Sequence, residues 1–196
     1  MSKTLVLFDF DGTLTKRDTF PQFIFFSQGY LKGILGFVAY SPVVFLFLFK
    51  LVDGSVLKGK LVSFYFKKQK EDALKLKGKR FIEHLFTAKG FNDEVLGKLK
   101  MHKERGEEIA IVSASLDIWI KPFCEQNNIK FMCTELEYIN GNCTGKLKTP
   151  NCNRGEKAVR IKAAYNLNDY NKVIAYGNGS GDKEMFTLAH ETHLIK

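Results

Sequence analysis

Two carboxylates separated by one residue, Asp9 and Asp11, directly follow the apolar run Thr4–Phe8 and lead into Gly12 and Thr13. Side chains alternate along an extended strand, so Asp9 and Asp11 leave it on the same side. Gly12 allows the chain to turn sharply, and Thr13 supplies a hydroxyl. In an open α/β sheet the carboxyl ends of the strands face the ligand crevice, and an acidic pair placed there suits phosphate chemistry.

Three further pieces carry residues of catalytic type. Ser113, within Ile111-Val112-Ser113-Ala114-Ser115, ends a second apolar run, Ile109–Val112. Lys157, in Arg154-Gly155-Glu156-Lys157, opens a helical stretch. Gly177-Asn178-Gly179-Ser180-Gly181-Asp182 follows a third apolar run, Val173–Tyr176. Short, continuous apolar runs of this kind are expected as buried strands of a parallel sheet. Each piece also has a plain structural reading: a turn at Asp11-Gly12, a strand-end cap at Ser113, a helix-face cation at Lys157, and a hairpin turn at Asn178-Gly179. Helical character from Asp182 to Leu188 weakens the last of these, and Arg154 is a rival to Lys157 as the phosphate cation.

In order and spacing these four pieces resemble the motifs of the haloacid dehalogenase-like hydrolase superfamily, over essentially the whole chain. They are most similar to the phosphoserine phosphatase-like subfamily, in which a helical cap is inserted between the first and second motifs. The resemblance implies a Rossmann-like α/β core with a central parallel sheet flanked by helices, plus an all-helical cap. The expected division is a core of residues 1–17 and 92–196 and a cap of residues 18–91. It also implies a metal held by the first Asp, the main-chain carbonyl at Asp11, and the acidic fourth motif. Here that motif carries Asn178 in its first acidic position and keeps Asp182, so a weaker hold on metal is expected.

The chemistry assigns roles within this frame. A phosphate monoester dianion repels a carboxylate nucleophile, so a divalent cation and a lysine must supply positive charge. Mg²⁺ suits an oxygen-only donor set of Asp9, Asp11, Asn178 and Asp182. Asp9 is expected to attack phosphorus and form an aspartyl phosphate, and Asp11 to protonate the leaving alkoxide and later deprotonate water. Ser113 is expected to hold phosphate oxygens and Lys157 to neutralise them. Gly12, Thr13, Asp18, Ala114 and Ser115 complete the expected substrate contacts.

The segment from Phe20 to Phe91 has helical composition and few strand signals. Phe20 to Phe49 is crowded with Phe, has Lys32 as its one charged residue, and is expected to be broken at Ser41-Pro42 into a helical hairpin. The uncharged run from Gly33 to Phe49 is shorter than the roughly 20 residues needed to cross a bilayer. Packing against the rest of the protein, resting on a membrane surface and, against this length and Pro42, crossing the bilayer are the open readings. Between Asp18 and Lys79 there is no Arg, the preferred partner of a substrate carboxylate. Strict phosphoserine specificity is thereby disfavoured. Asp18 could hold an amine or simply start the first helix. The open alternatives are a small or amphiphilic phosphate ester, a lipid phosphate such as phosphatidylglycerophosphate or lysophosphatidate, and a phosphate-binding homologue with little turnover.

With 196 residues and 45% hydrophobic content the chain can bury a sizeable core. Its net charge of +9 is concentrated between Lys58 and Arg80, which would draw in an anionic substrate. No nucleic-acid module is recognisable, so no nucleic-acid partner is expected. Cys124, Cys133, Cys143 and Cys152 include no C-x-x-C pair, and a zinc site with His190 and His193 fits no familiar spacing. The start of the chain lacks a signal peptide's apolar region, so free thiols and a cytoplasmic location are expected, with the inner membrane face as a site of peripheral contact. Phe131 to Leu147, with Asn140-Gly141 at its middle, is expected to form a β-hairpin, and a helix is expected from about Asn92 to Gly106.

Overall fold

The apolar run Thr4–Phe8 forms β1, followed by a tight turn over Phe10–Leu14. The computed structural model describes residues 3–49 and 51–196. Met1 and Ser2 of the expected core segment and Lys50 of the expected cap lie outside the described residues. After the turn come five helices in succession: α1 (Thr19–Gln28), α2 (Tyr30–Ala39), α3 (Ser41–Leu48), α4 (Gly54–Phe66) and α5 (Glu71–Thr87). The chain continues through α6 (Asp93–Glu104), β2 (Glu108–Leu116), α7 (Asp117–Asn127) and β3 (Lys130–Thr134). It then forms β4 (Leu136–Ile139), β5 (Asn142–Leu147), α8 (Gly155–Ala164), β6 (Lys172–Gly177), α9 (Lys183–Phe186) and β7 (Glu191–Leu194).

The five-stranded sheet runs β3-β2-β1-β6-β7, and every neighbouring pair is parallel. The strand-by-strand alternation of side chains divides the core between its two faces. Leu5 and Leu7 join Val112, Ile161, Val173 and Met185 on one face. Val6 and Phe8 join Leu99, Ile109, Ile111 and Ile174 on the other, which is continuous with the helical insertion. Chain order moves outward from β1 in one direction through β2 and β3, and in the other through β6 and β7. The switch of direction opens a crevice at the carboxyl ends of β1 and β6.

The helical insertion leaves the sheet through a narrow neck, where Thr15 and Phe91 pair as an antiparallel bridge and Asn92 N–H donates to the Leu14 carbonyl. Its interior is aromatic: Phe23 packs on Phe66 and Phe81 and on Trp119 of α7. Close approach of α5 to α7 depends on Gly78, because a Cβ there would lie 1.6 Å from the Ile118 carbonyl oxygen.

Two sequence expectations are corrected by the fold, and one strand is added. The segment before Phe49 holds three helices rather than a two-helix hairpin. Gly29, at φ +78°, ends α1 where a residue with a Cβ would be strained, and Pro42 then starts α3. The alternating stretch 131–147 is not one hairpin: its first residues form β3, a parallel edge strand, and only β4 and β5 pair antiparallel around Asn140-Gly141. Also, β7 was not anticipated, its four residues Glu-Thr-His-Leu carrying no apolar run. The helix from Asn92 is present as α6, with the Asn92 side chain accepting from the N–H groups of Glu94 and Val95.

Candidate functional site

The site lies where β1, β2 and β6 end. Asp9 follows β1 by one residue and its carboxylate is buried. Lys157, in the first turn of α8, reaches it: Nζ lies 2.6 Å from Asp9 Oδ1 and 2.6 Å from Asp182 Oδ1. Thr13, fully buried, donates to Asp9 Oδ2 at 3.2 Å. Gly12, at φ +69°, lets the turn bring its backbone against Asn178, whose Nδ2 would be 2.0 Å from a Cβ at that position. Burial pushes the Asp9 carboxyl up to about 6, while the Lys157 ammonium pulls it down. Burial alone would depress Lys157, but the two carboxylates outweigh it and hold the ammonium above its ordinary value.

Asp11 points toward the insertion. Thr19, the first residue of α1, donates to Asp11 Oδ1 from its N–H at 2.9 Å and from its hydroxyl, and Ser115 donates to Oδ2. Burial raises the Asp11 carboxyl above its ordinary range, and the nearby Asp18 charge adds to this, against the lowering effect of the Ser115 and Thr19 hydrogen bonds. Ser113 is buried in the second half of β2, where the pairing with β3 shifts register, and its hydroxyl accepts from the Ser115 N–H at 3.1 Å. Asp182 is fully engaged: beyond Lys157, its Oδ2 accepts from the N–H groups of Asn178 and Gly179 at 3.0 and 3.3 Å.

These groups border a cavity of about 430 Å³. Asp9, Asp11, Ser113, Ala114, Lys157, Asn178 and Asp182 form its polar floor, and Phe20, Phe37, Phe47, Leu57 and Leu61 form an apolar wall from the insertion. Asp18 lines the mouth and is the N-cap of α1, accepting from Phe20 N–H at 2.9 Å. Gly12, Thr13 and Ser115 stand behind the lining residues and set the positions of Asn178, Asp9 and Asp11 respectively. Arg154 is exposed at the rim, paired with Asp53 at 3.5 Å.

The structure adds Lys58 of α4, a residue the sequence did not single out. Its Nζ reaches from the insertion to the Ala114 carbonyl at 2.7 Å and to Asn151 Oδ1 at 3.1 Å. Burial depresses its ammonium, with Asp11 and Asp18 acting in the opposite sense. In sequence it is one of many lysines on helices of the insertion. A signal was nonetheless available, since Lys58 shares a helix face with Leu61 and Tyr65, which are buried.

Among the described residues no three His, Cys, Asp or Glu side chains gather as a metal-binding group. The four cysteines are buried and unpaired, and His190 accepts from Val173 N–H instead. At the site itself the candidate donors are oxygens only: the Asp9 carboxylate, the Asp11 main-chain carbonyl and the Asn178 side-chain amide, whose approach Gly12 makes room for. That donor set fits a hard cation of the Mg²⁺ type.

A family model described as haloacid dehalogenase-like hydrolase matches residues 6–187. The chain belongs to that family. Protein CicA of Caulobacter vibrioides is 29% identical over 189 residues, covering 95% of this chain and 83% of the relative. A protein of unknown function from Bordetella pertussis Tohama I superposes with TM-score 0.84 at 15% identity, covering 98% of this chain and 89% of that one. A phosphoserine phosphatase carrying an analogue of its phospho-aspartyl intermediate superposes with TM-score 0.69 at 20% identity, covering 98% and 86%. The family is one of hydrolases, and the fold is shared with phosphoserine phosphatases.

Proposed function

We propose that the protein is a Mg²⁺-dependent phosphomonoester hydrolase that works through an aspartyl phosphate on Asp9. The observation that carries this reading is the buried Asp9–Lys157–Asp182 array at the strand ends, with Asp11 and Ser113 on the same cavity. Asp9, ionised above about pH 6, is the nucleophile. Lys157 holds its carboxylate in place and offsets charge on the phosphoryl oxygens, while Ser113 and the main-chain N–H groups beside it orient them. Asp11, whose carboxyl burial raises above its ordinary range, serves in its protonated form as the acid that gives a proton to the departing alkoxide, and then takes one from the attacking water in the second step.

Asp9, the Asp11 carbonyl and Asn178 would hold Mg²⁺, which would supply positive charge against the repulsion between carboxylate and phosphate. The engagement of both Asp182 oxygens favours Asp182 as the partner that fixes Lys157, leaving Asn178 as the fourth-motif donor. Residues 18–91 act as the cap over a core of residues 1–17 and 92–196, and the polar floor with an apolar wall suits an organic phosphate with an apolar part. The test is Mg²⁺-dependent hydrolysis of p-nitrophenyl phosphate by the wild type and by D9N. The expected loss in D9N is about a thousandfold or more in kcat. Undiminished Mg²⁺-dependent turnover in D9N rules the mechanism out.

A further inference from the structure

The second and third helices of the insertion are apolar where they meet solvent. Leu31, Leu35 and Val38 on α2 and Phe45, Leu48 and Phe49 on and beside α3 are all exposed, with Leu31 at 84% and Leu48 at 69%. No residue of α3 is fully buried, although it reads Ser-Pro-Val-Val-Phe-Leu-Phe-Leu. A helix with such a sequence leaves a large apolar area in water unless something covers it. The inner side of the same pair is part of the site: Phe37 of α2 and Phe47 of α3 line the cavity that contains Asp9.

We infer that α2 and α3 embed in the surface of an anionic lipid bilayer, and that the substrate is an amphiphilic phosphomonoester presented from it. The second half of this inference rests on the phosphatase reading; the first does not. Three observations favour a bilayer. From Thr19 to Val52 there is no Asp or Glu, so nothing in the apolar unit repels an anionic headgroup, and Lys32 is exposed within it. Half-buried Lys77, which donates to Gln69 Oε1 at 3.0 Å, has its ammonium lowered first by burial and then by the Lys32 charge, so a second cation lies near Lys32.

The geometry is that of a shallow insertion. Helices of ten and eight residues, bent by 73° at Tyr40, reach only about 15 Å and 12 Å each. A hydrocarbon core is about 30 Å thick. Among the described residues no single helix is long and apolar enough to cross it. Amphipathic or apolar helices of this length, with aromatic and basic residues at their ends, lie in the interface. Tyr30 at the start of α2, highly exposed, is placed to meet the headgroup layer. A monoester phosphate could then rest on the polar floor while its chain lies along Phe37, Phe47, Leu57 and Leu61 toward the bilayer.

The test is sedimentation of the full chain with phosphatidylcholine vesicles, with and without phosphatidylglycerol. Turnover of lysophosphatidate in those vesicles is compared with turnover of p-nitrophenyl phosphate in solution. Wild type is expected to sediment with the phosphatidylglycerol vesicles. L48E/F49E, altered outside the cavity lining, is expected to lose about tenfold or more in partitioning and in lysophosphatidate turnover. Its p-nitrophenyl phosphate turnover should match wild type, which also reports that the variant is folded. K32E should weaken binding to the phosphatidylglycerol vesicles alone.

Wild type remaining in the supernatant overturns the docking. So does a dimer in sedimentation velocity that L48E/F49E dissociates, since the face then belongs to a second copy. Vesicle binding with p-nitrophenyl phosphate turnover but none of lysophosphatidate overturns the substrate assignment. Absence of any phosphatase activity in wild type that still binds vesicles sinks the phosphatase reading and leaves the docking standing.

Discussion

Lys58 on α4 donates to the main-chain carbonyl of Ala114 at 2.7 Å, tying the helical insertion to the carboxyl-terminal part of β2. The ammonium is desolvated and lies on the cavity lining, so it holds the insertion in place and presents positive charge to an entering phosphate. Replacing it by methionine keeps the stem's packing and removes the charge. K58M is expected to raise KM by about tenfold, with a smaller change in kcat, and to leave the thermal midpoint unchanged or higher because a buried charge is gone. Steady-state kinetics and a thermal melt check both parts, and a lower melting point with unchanged KM argues for a purely structural lysine.

Lys157 stands between two buried carboxylates, and removing it leaves Asp9 and Asp182 facing each other without a cation. K157M should cost about 3 to 5 kcal/mol in urea denaturation at neutral pH. Adding D182N should recover part of that loss, because one of the two unpaired charges disappears. Equal stability of K157M and wild type would show that the array is not coupled in this way.

The first motif and the three central strands were legible because they are local. Asp9-Phe10-Asp11-Gly12-Thr13 follows an apolar run, and each later piece follows another run or opens a helix, so pattern placed the pieces and the resemblance to the haloacid dehalogenase-like motifs grouped them into one floor. What could not be read was anything set by the meeting of distant segments. Lys58 looks like a solvated helix-face lysine until α4 is placed over Ala114, and Asp182 looks like a free acid until Lys157 and two N–H groups converge on it. The strand β3 was hidden for a similar reason, since its pairing with β2 is parallel and lies between segments separated by α7. Within the insertion, helical composition was evident, but the division into α1 and α2 turned on the single backbone conformation of Gly29.

Asp117, the first residue of α7, gives a pH dependence of stability. Burial raises its carboxyl to about 6, in spite of the hydrogen bond it accepts from Leu136 N–H at 3.2 Å. The unfolded chain has the ordinary value near 3.9, so the folded state binds more protons between about pH 4 and pH 6. Stability from this residue is therefore lost as pH rises through that window, and the loss is complete above about pH 6. D117N retains an oxygen to accept from Leu136 without the buried charge. It should be more stable than wild type by about 3 kcal/mol at pH 8, the difference shrinking toward zero near pH 4. Parallel denaturation curves across that range, with a constant offset, would contradict the assignment.

Asn178 sets the expected demand for metal. Its amide lies against Gly12 and faces the cavity with Asp9, and it contributes an oxygen but no charge to a cation held there. N178D adds a carboxylate to a place that already contains Asp9 and Asp182. Without Mg²⁺ that is like-charge crowding, and the thermal midpoint should fall by about 3 to 5 °C. With Mg²⁺ the added charge should lower the concentration needed for half-maximal phosphatase activity by about tenfold, and should make the melting point rise with Mg²⁺ more steeply than in wild type. The melting experiment needs no turnover, so it separates metal binding from catalysis. A Mg²⁺ response that is identical in N178D and wild type places the cation away from Asn178 and returns the donor role to other oxygens of the site.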